Sequence, residues 1–218
     1  MYRMILYTHW KWSRLIVVLG VLAGFAVPLL SVQEAGSASI DHVQAGELLA
    51  AITSWGVLYP ALAATLGLLV AITAWGPDHR GRHVYALSLP IPRWRYALLR
   101  FGAGAALLGA PVLAVGVGAV LATAIAKLPP GLHGYPLALT LRFALAVLIA
   151  YAIFFAVAAG TARTAGLVLG AIGVVLVVQV LAFAAGIELH LLDTGVTAVL
   201  NFPGPFAIFS GRWMLIDV

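Results

Sequence analysis

The chain has 218 residues, of which 63% are hydrophobic and 9% charged, with a formal net charge of +5 and no cysteine. A soluble domain carries about 25% charged and ~45–50% apolar residues, so a water-facing globule of this size could not bury so much apolar surface. The cysteine count excludes disulfides, thiolate metal sites and cysteine catalysis, and a positive charge confined to helix ends gives no ground for nucleic-acid binding.

In chain order, the first segment reads "YRMILYTHWKWSR" followed by the apolar run Leu15 to Ser31. A basic lead and the small-residue stretch "AGSAS" imitate a cleavable signal peptide. The aromatic residues Tyr7, Trp10 and Trp12 suit a membrane interface better. Residues 1–14 are therefore read as an interfacial lead, and residues 15–218 as the transmembrane domain.

Four more apolar runs follow: Leu48 to Gly76, Ala97 to Ala126, Leu137 to Gly160, and Ala165 to Ile187. Each approaches or exceeds the ~20 residues that cross a bilayer. In lipid every backbone amide must find its partner inside its own segment, so each run is expected to be a helix, Val-rich patches included. A barrel would need alternating segments of about ten residues. The fold class is all-α integral membrane: a bundle of five transmembrane helices, or six, with an N-terminal interfacial helix. Residues 188–218 are read as an external interfacial segment, interrupted by "FPGP" and carrying Arg212. Pro60 and Pro111 fall inside the second and third runs, where proline removes a hydrogen bond and favours a tilt or kink. The GxxxG pairs Gly20/Gly24 and Gly166/Gly170 allow close helix approach, read as packing within the chain in preference to a subunit interface.

Cation placement sets the orientation. Arg3, Lys11, Arg14, Arg80, Arg82, Arg93, Arg95, Arg100 and Arg163 fall on one side, nine of the twelve basic residues. That side is expected to be cytoplasmic, the N-terminus with it. Glu34, Asp41, Glu47, Glu188 and Asp193 lie opposite, beside Lys127, Arg142 and Arg212.

The break between the second and third runs, "WGPDHRGRHVYALSLPIPRWRYALLR", holds more than anchoring charge. Prolines bias the residues before them away from helix, so Leu89–Pro90 and Ile91–Pro92 stop a short surface segment. Its length and apolar content fit a docking surface for a cytoplasmic partner. Here the chain resembles the membrane subunit of ABC-2 type exporters, in Asp78, Gly81, Leu87, Ser88, Leu89, Pro90, Ile91 and Arg93, and in the lead "YTHWKWSR". The resemblance implies a multi-pass permease of the cytoplasmic (inner) membrane, working as a dimer with a second permease copy or a homologous permease. It implies that residues 1–14 form a cytoplasmic amphipathic connecting helix, and that a partner ABC ATPase subunit holds ATP and Mg. Asp78 to Ser88 would then be the coupling segment, with Asp78, Gly81, His83, Leu87, Ser88, Leu89, Pro90 and Arg93 as its docking residues. The family pattern has a sixth helix near the end, and no run here supplies one.

Other chemistry is thinly represented. There is no G-x-x-x-x-G-K-[ST] phosphate loop, so no cofactor is expected in this chain and ATPase activity belongs to a partner; the chain itself is not read as an enzyme. His79 and His83 share a helical face but lack a third ligand, while His42, His133 and His190 are scattered, so no metal site is assigned. Gln179, Tyr59 and Ser54 are the polar groups at membrane depth, read as substrate or helix-packing contacts, Gln179 chiefly as a hydrogen-bond partner between helices. Arg142 is near enough to a helix end to snorkel outward. Helices rich in alanine and glycine lean towards amphipathic or lipid-like cargo. A non-transporting membrane anchor or assembly subunit is the alternative function.

Overall fold

The computed structural model of the chain describes residues 2–35, 55–80, 92–126, 131–160, 204 and 206–217, with the isolated helical positions Val174 and Val178. Among them four helices are long and apolar enough to cross a membrane. They are α1 (Tyr2–Ala35), α2 (Leu58–Arg80), α3 (Arg93–Ile125) and α4 (Pro136–Ala159). A multi-pass helical membrane protein follows from them. The count differs from the five or six expected; the run at 165–187 lies outside the described residues except for Val174 and Val178.

At the N-terminus the structure differs from the expectation. The connecting helix expected over 1–14 and the first span are one continuous helix of 34 residues. No glycine or proline precedes Gly20, so nothing in the backbone chemistry ends the helix near Arg14. At ~1.5 Å per residue α1 is about 51 Å long, well beyond the ~30 Å hydrocarbon core. Helix α2 runs from Leu58, after a turn at Val57 and the helical residues Trp55 and Gly56; positions 48–54 of the expected run lie outside the described residues. Pro60 therefore sits in the first turn, where its missing N–H has no intrahelical acceptor to lose. Pro111 is inside α3 as expected, and α1 has an interior proline of its own, Pro28.

The chain divides into two compact units, 1–155 with 212–218, and 156–211. In the first, α1 packs most extensively on α3. The two run in the same direction: Gly20 meets Pro111, Gly24 meets Val115, and Gly118 meets the Phe25 carbonyl. In a bilayer, lipid tails are as apolar as the helices, so association rests on close van der Waals packing. The glycines supply it. A Cβ on Gly118 would lie 2.6 Å from the Phe25 oxygen, and one on Gly67 of α2 would lie 2.7 Å from both Ala150 Cβ and Tyr151 N of α4. Gly20 and Gly24 thus pack inside this chain.

Helix α3 starts where Pro92, extended at φ −62° and ψ 139°, places its carbonyl to accept from the N–H groups of Arg95 and Tyr96. At its far end Gly131, at φ +97°, turns the chain in a conformation that favours glycine. It leads into strand β1 (His133–Gly134), which pairs antiparallel with β2 (Ile216–Asp217), His133 opposite Asp217. In the second unit, the described residues include a short 3-10 turn at Ala207–Phe209, with the Phe206 and Phe209 rings 5.9 Å apart.

Candidate functional site

One end of the first unit, where α1 and α3 begin and α2 and α4 finish, gathers a buried cation and five aromatic rings. Arg100 of α3 is 6% exposed. Its guanidinium carbon lies 5.3 Å from the Trp75 ring centroid and 5.2 Å from that of Tyr96. Its Nη1 donates to the Tyr96 hydroxyl. A guanidinium removed from water is costly unless its charge is answered, and the negative faces of two rings answer part of it. The i,i+4 spacing of Tyr96 and Arg100 puts both on one face of α3.

Around this centre the rings interlock. Trp75 packs on Phe155 at 5.2 Å, Phe101 stacks on Tyr151 at 5.0 Å, and Phe155 meets Phe101 edge-on at 5.4 Å. The Tyr151 hydroxyl donates to the Phe101 carbonyl at 3.3 Å. His9 of α1, 4% exposed, completes the set, with Nε2 at 3.3 Å from the Val70 carbonyl. A carbonyl only accepts, so Nε2 carries the hydrogen of this contact. Gly104 makes room: a Cβ there would collide with the Tyr151 hydroxyl and the His9 ring. Trp75 belongs to α2, Arg100 to α3, His9 to α1 and Phe155 to α4. The cluster therefore ties together four helices, among them the two that flank the 81–92 break.

The opposite end is closed by residues 212–217. Trp213 is 3% exposed and stacks on Tyr59 of α2 with the planes 11° apart. Arg142 of α4 lies 4.5 Å above the Trp213 ring, and its Nη1 donates to the Arg212 carbonyl. Tyr135 N–H donates to the Leu215 carbonyl at 2.8 Å, and Leu215 and Ile216 are buried. Gly56 lets the strap seat: a Cβ there would lie 2.6 Å from the Trp213 carbonyl oxygen. Arg142, expected to reach outward, meets this strap at that end of α4.

The sequence-predicted residues distribute as follows. Asp78 lies in the last turn of α2, which continues through Gly76 and Pro77 to Arg80. Arg93 is the first residue of α3 and is exposed. Gly81, His83, Leu87, Ser88, Leu89 and Pro90 lie outside the described residues, as do Ser54 and Gln179. Tyr59 is a packing residue, 1% exposed beneath Trp213. His133 is in β1, opposite Asp217.

Sequence reasoning missed the buried cluster. Arg100 counts as one more cation at a helix end, and His9 as part of an aromatic lead. A signal was present in α1: His9, Ser13, Val17, Gly20 and Gly24 recur at helical spacing, and all are buried. That pattern marks a packed face that runs through the lead without interruption. Neither a family model, a curated protein nor a solved structure matches this chain.

Proposed function

We propose that the chain is the membrane-spanning permease subunit of an ABC-2 type exporter of the cytoplasmic membrane, moving its substrate with ATP hydrolysed by a partner subunit docked at Asp78 to Arg93. The motif "LSLPIPR" and the order of basic and apolar segments carry the resemblance. The structural observation that supports it is the Arg100 cluster. The break from 81 to 92 leaves α2 five residues after Trp75 and enters α3 seven residues before Arg100. Those two side chains are in cation–π contact, and their neighbours His9, Tyr151 and Phe155 belong to α1 and α4. A push delivered at the break reaches every described spanning helix through packed side chains.

Charge placement agrees. Arg93 and Arg95, both exposed, fall in the first turn of α3, which has no acidic residue. Cations at a helix N-terminus oppose the macrodipole, at a cost of ~0.3–1 kcal/mol each. Helix stability does not account for them; orientation in the membrane and contact with an acidic partner surface do.

The test compares wild type with a variant in which Asp78 to Ser88 are replaced by a Gly/Ser linker of equal length, each purified in detergent from the native host. Copurified proteins are identified by mass spectrometry. An ATPase that accompanies wild type and is lost from an inserted variant supports the permease reading. An ATPase that binds both equally, or none with wild type, overturns docking and leaves the membrane-scaffold alternative.

A further inference from the structure

We infer that the exposed face of α1 is a binding site for one anionic phospholipid, its phosphate held at Lys11 and Arg14 and an acyl chain lying in the groove between α1 and α3. At 100° per residue, Arg3, Tyr7, Trp10, Lys11 and Arg14 fall on one face, and Val18, Val21, Leu22 and Phe25 continue it. Every one of the first five is exposed, Tyr7 at 68%. The stripe changes character once: cationic and aromatic up to Arg14, apolar from there on.

The apolar part is one wall of a groove. Val21, Leu22 and Phe25 face Leu113, Ala114 and Val117 of α3 across a volume of about 450 Å³. That is within the ~300–1,000 Å³ of small-molecule sites. Arg14 stands seven residues before Val21, about 10 Å along the axis. A headgroup phosphate and the upper part of its acyl chain are separated by a distance of this order. The length of α1 places the change of character at the membrane surface. Its apolar part from Leu15 onward occupies the hydrocarbon, and the turns before it extend into the headgroup region.

Charge selects the occupant. No Asp or Glu precedes Glu34 in the sequence, so the face around Lys11 and Arg14 has no acidic residue of α1 to neutralise it. Cations at the membrane surface favour anionic headgroups, and the flanking Trp10 and Tyr7 suit the same depth. A free phosphate would satisfy the cations and leave the groove empty; a zwitterionic lipid would fill the groove and leave the cations unanswered. An anionic phospholipid satisfies both. The site is independent of the ATPase-docking proposal, which uses the break after α2.

The test equilibrates the purified full chain in mixed micelles with equimolar phosphatidylglycerol and phosphatidylcholine of identical chains, and reads retained lipid by native mass spectrometry. Wild type is expected to retain phosphatidylglycerol roughly tenfold over phosphatidylcholine. Lys11→Gln with Arg14→Gln brings the ratio near one with total lipid unchanged, while Lys11→Arg with Arg14→Lys keeps it. Ala114→Phe, which fills the groove, lowers retention of both lipids. Glycerol 3-phosphate, a headgroup without chains, leaves the bound lipid in place. Raised salt collapses the preference in wild type by screening, a measurement that needs no variant. Equal retention of the two lipids by wild type overturns the site, as does a preference that survives charge neutralisation or high salt. Displacement by glycerol 3-phosphate overturns the lipid assignment.

Discussion

Arg100 of α3 lies over the indole of Trp75 from α2, the guanidinium carbon 5.3 Å from the ring centroid, in a site where both residues are less than a tenth exposed. The two belong to consecutive helices joined by the segment that carries the docking motif. A desolvated cation–π contact contributes about 2 kcal/mol. Arg100→Ala is expected to lower stability in detergent by at least that much, because Tyr96 loses its donor as well. Trp75→Phe keeps a π face and should cost less than Trp75→Ala, for which ~3–5 kcal/mol is expected. Thermal unfolding of the three variants gives the order. If the proposed transport reading is right, Arg100→Lys, which keeps the charge and loses the planar stacking group, reduces ATP-linked activity by more than its stability loss accounts for.

The glycines divide into two groups with opposite expectations. Gly118 and Gly67 are pressed against backbone atoms of neighbouring helices, whereas Gly102 and Gly109 of α3 have nothing within 4 Å of an added Cβ. Gly118→Ala and Gly67→Ala force helices apart and should destabilise by about 1–3 kcal/mol. Gly109→Ala gains helix propensity, up to ~1 kcal/mol, and should leave the melting temperature unchanged or raised. Melting curves in a single detergent check all three.

At the other end, Trp213 of the strap meets both Tyr59 and Arg142. Trp213→Ala removes a ring buried between them, with an expected loss of ~3–5 kcal/mol. Limited proteolysis should then cut near residues 210–217 many times faster than in wild type. Gly56→Val displaces the same strap from below and should give the same cleavage pattern with Trp213 intact.

Topology can be mapped cleanly because the chain has no cysteine of its own. Pairing of β1 with β2 requires Tyr135 and Arg212 to lie on one side of the membrane. Single cysteines at 135 and 212 should react with an impermeant maleimide from the same side, and cysteines at 3 and 94 from the other. Labelling of 135 and 212 from opposite sides would contradict the strand pairing. The proposed orientation adds that 3 and 94 face the cytoplasm.

Composition and run length alone gave the membrane environment, and they located α3 and α4 to within a few residues. They succeed because lipid imposes one local rule on each segment, that apolar residues and internally satisfied backbone run on for the thickness of the hydrocarbon. The same locality misled at α1, where a change from polar to apolar residues was read as a boundary although nothing there stops a helix. Gly20 and Gly24 were legible as packing glycines; which helix they meet was not.

What the sequence by itself determined is therefore the medium and the approximate extent of α3 and α4, since each rests on residues adjacent in the chain. Only the tertiary structure decided that Arg100 is buried between Trp75 and Tyr96, that His9 reaches Val70 across 61 positions, and that Arg142 turns to a carbonyl 70 positions away. A cation near a helix end looks the same in sequence whether it faces water, lipid or a ring. Its surroundings are fixed by the glycine-governed crossings of helices, and those depend on contacts that no single segment contains.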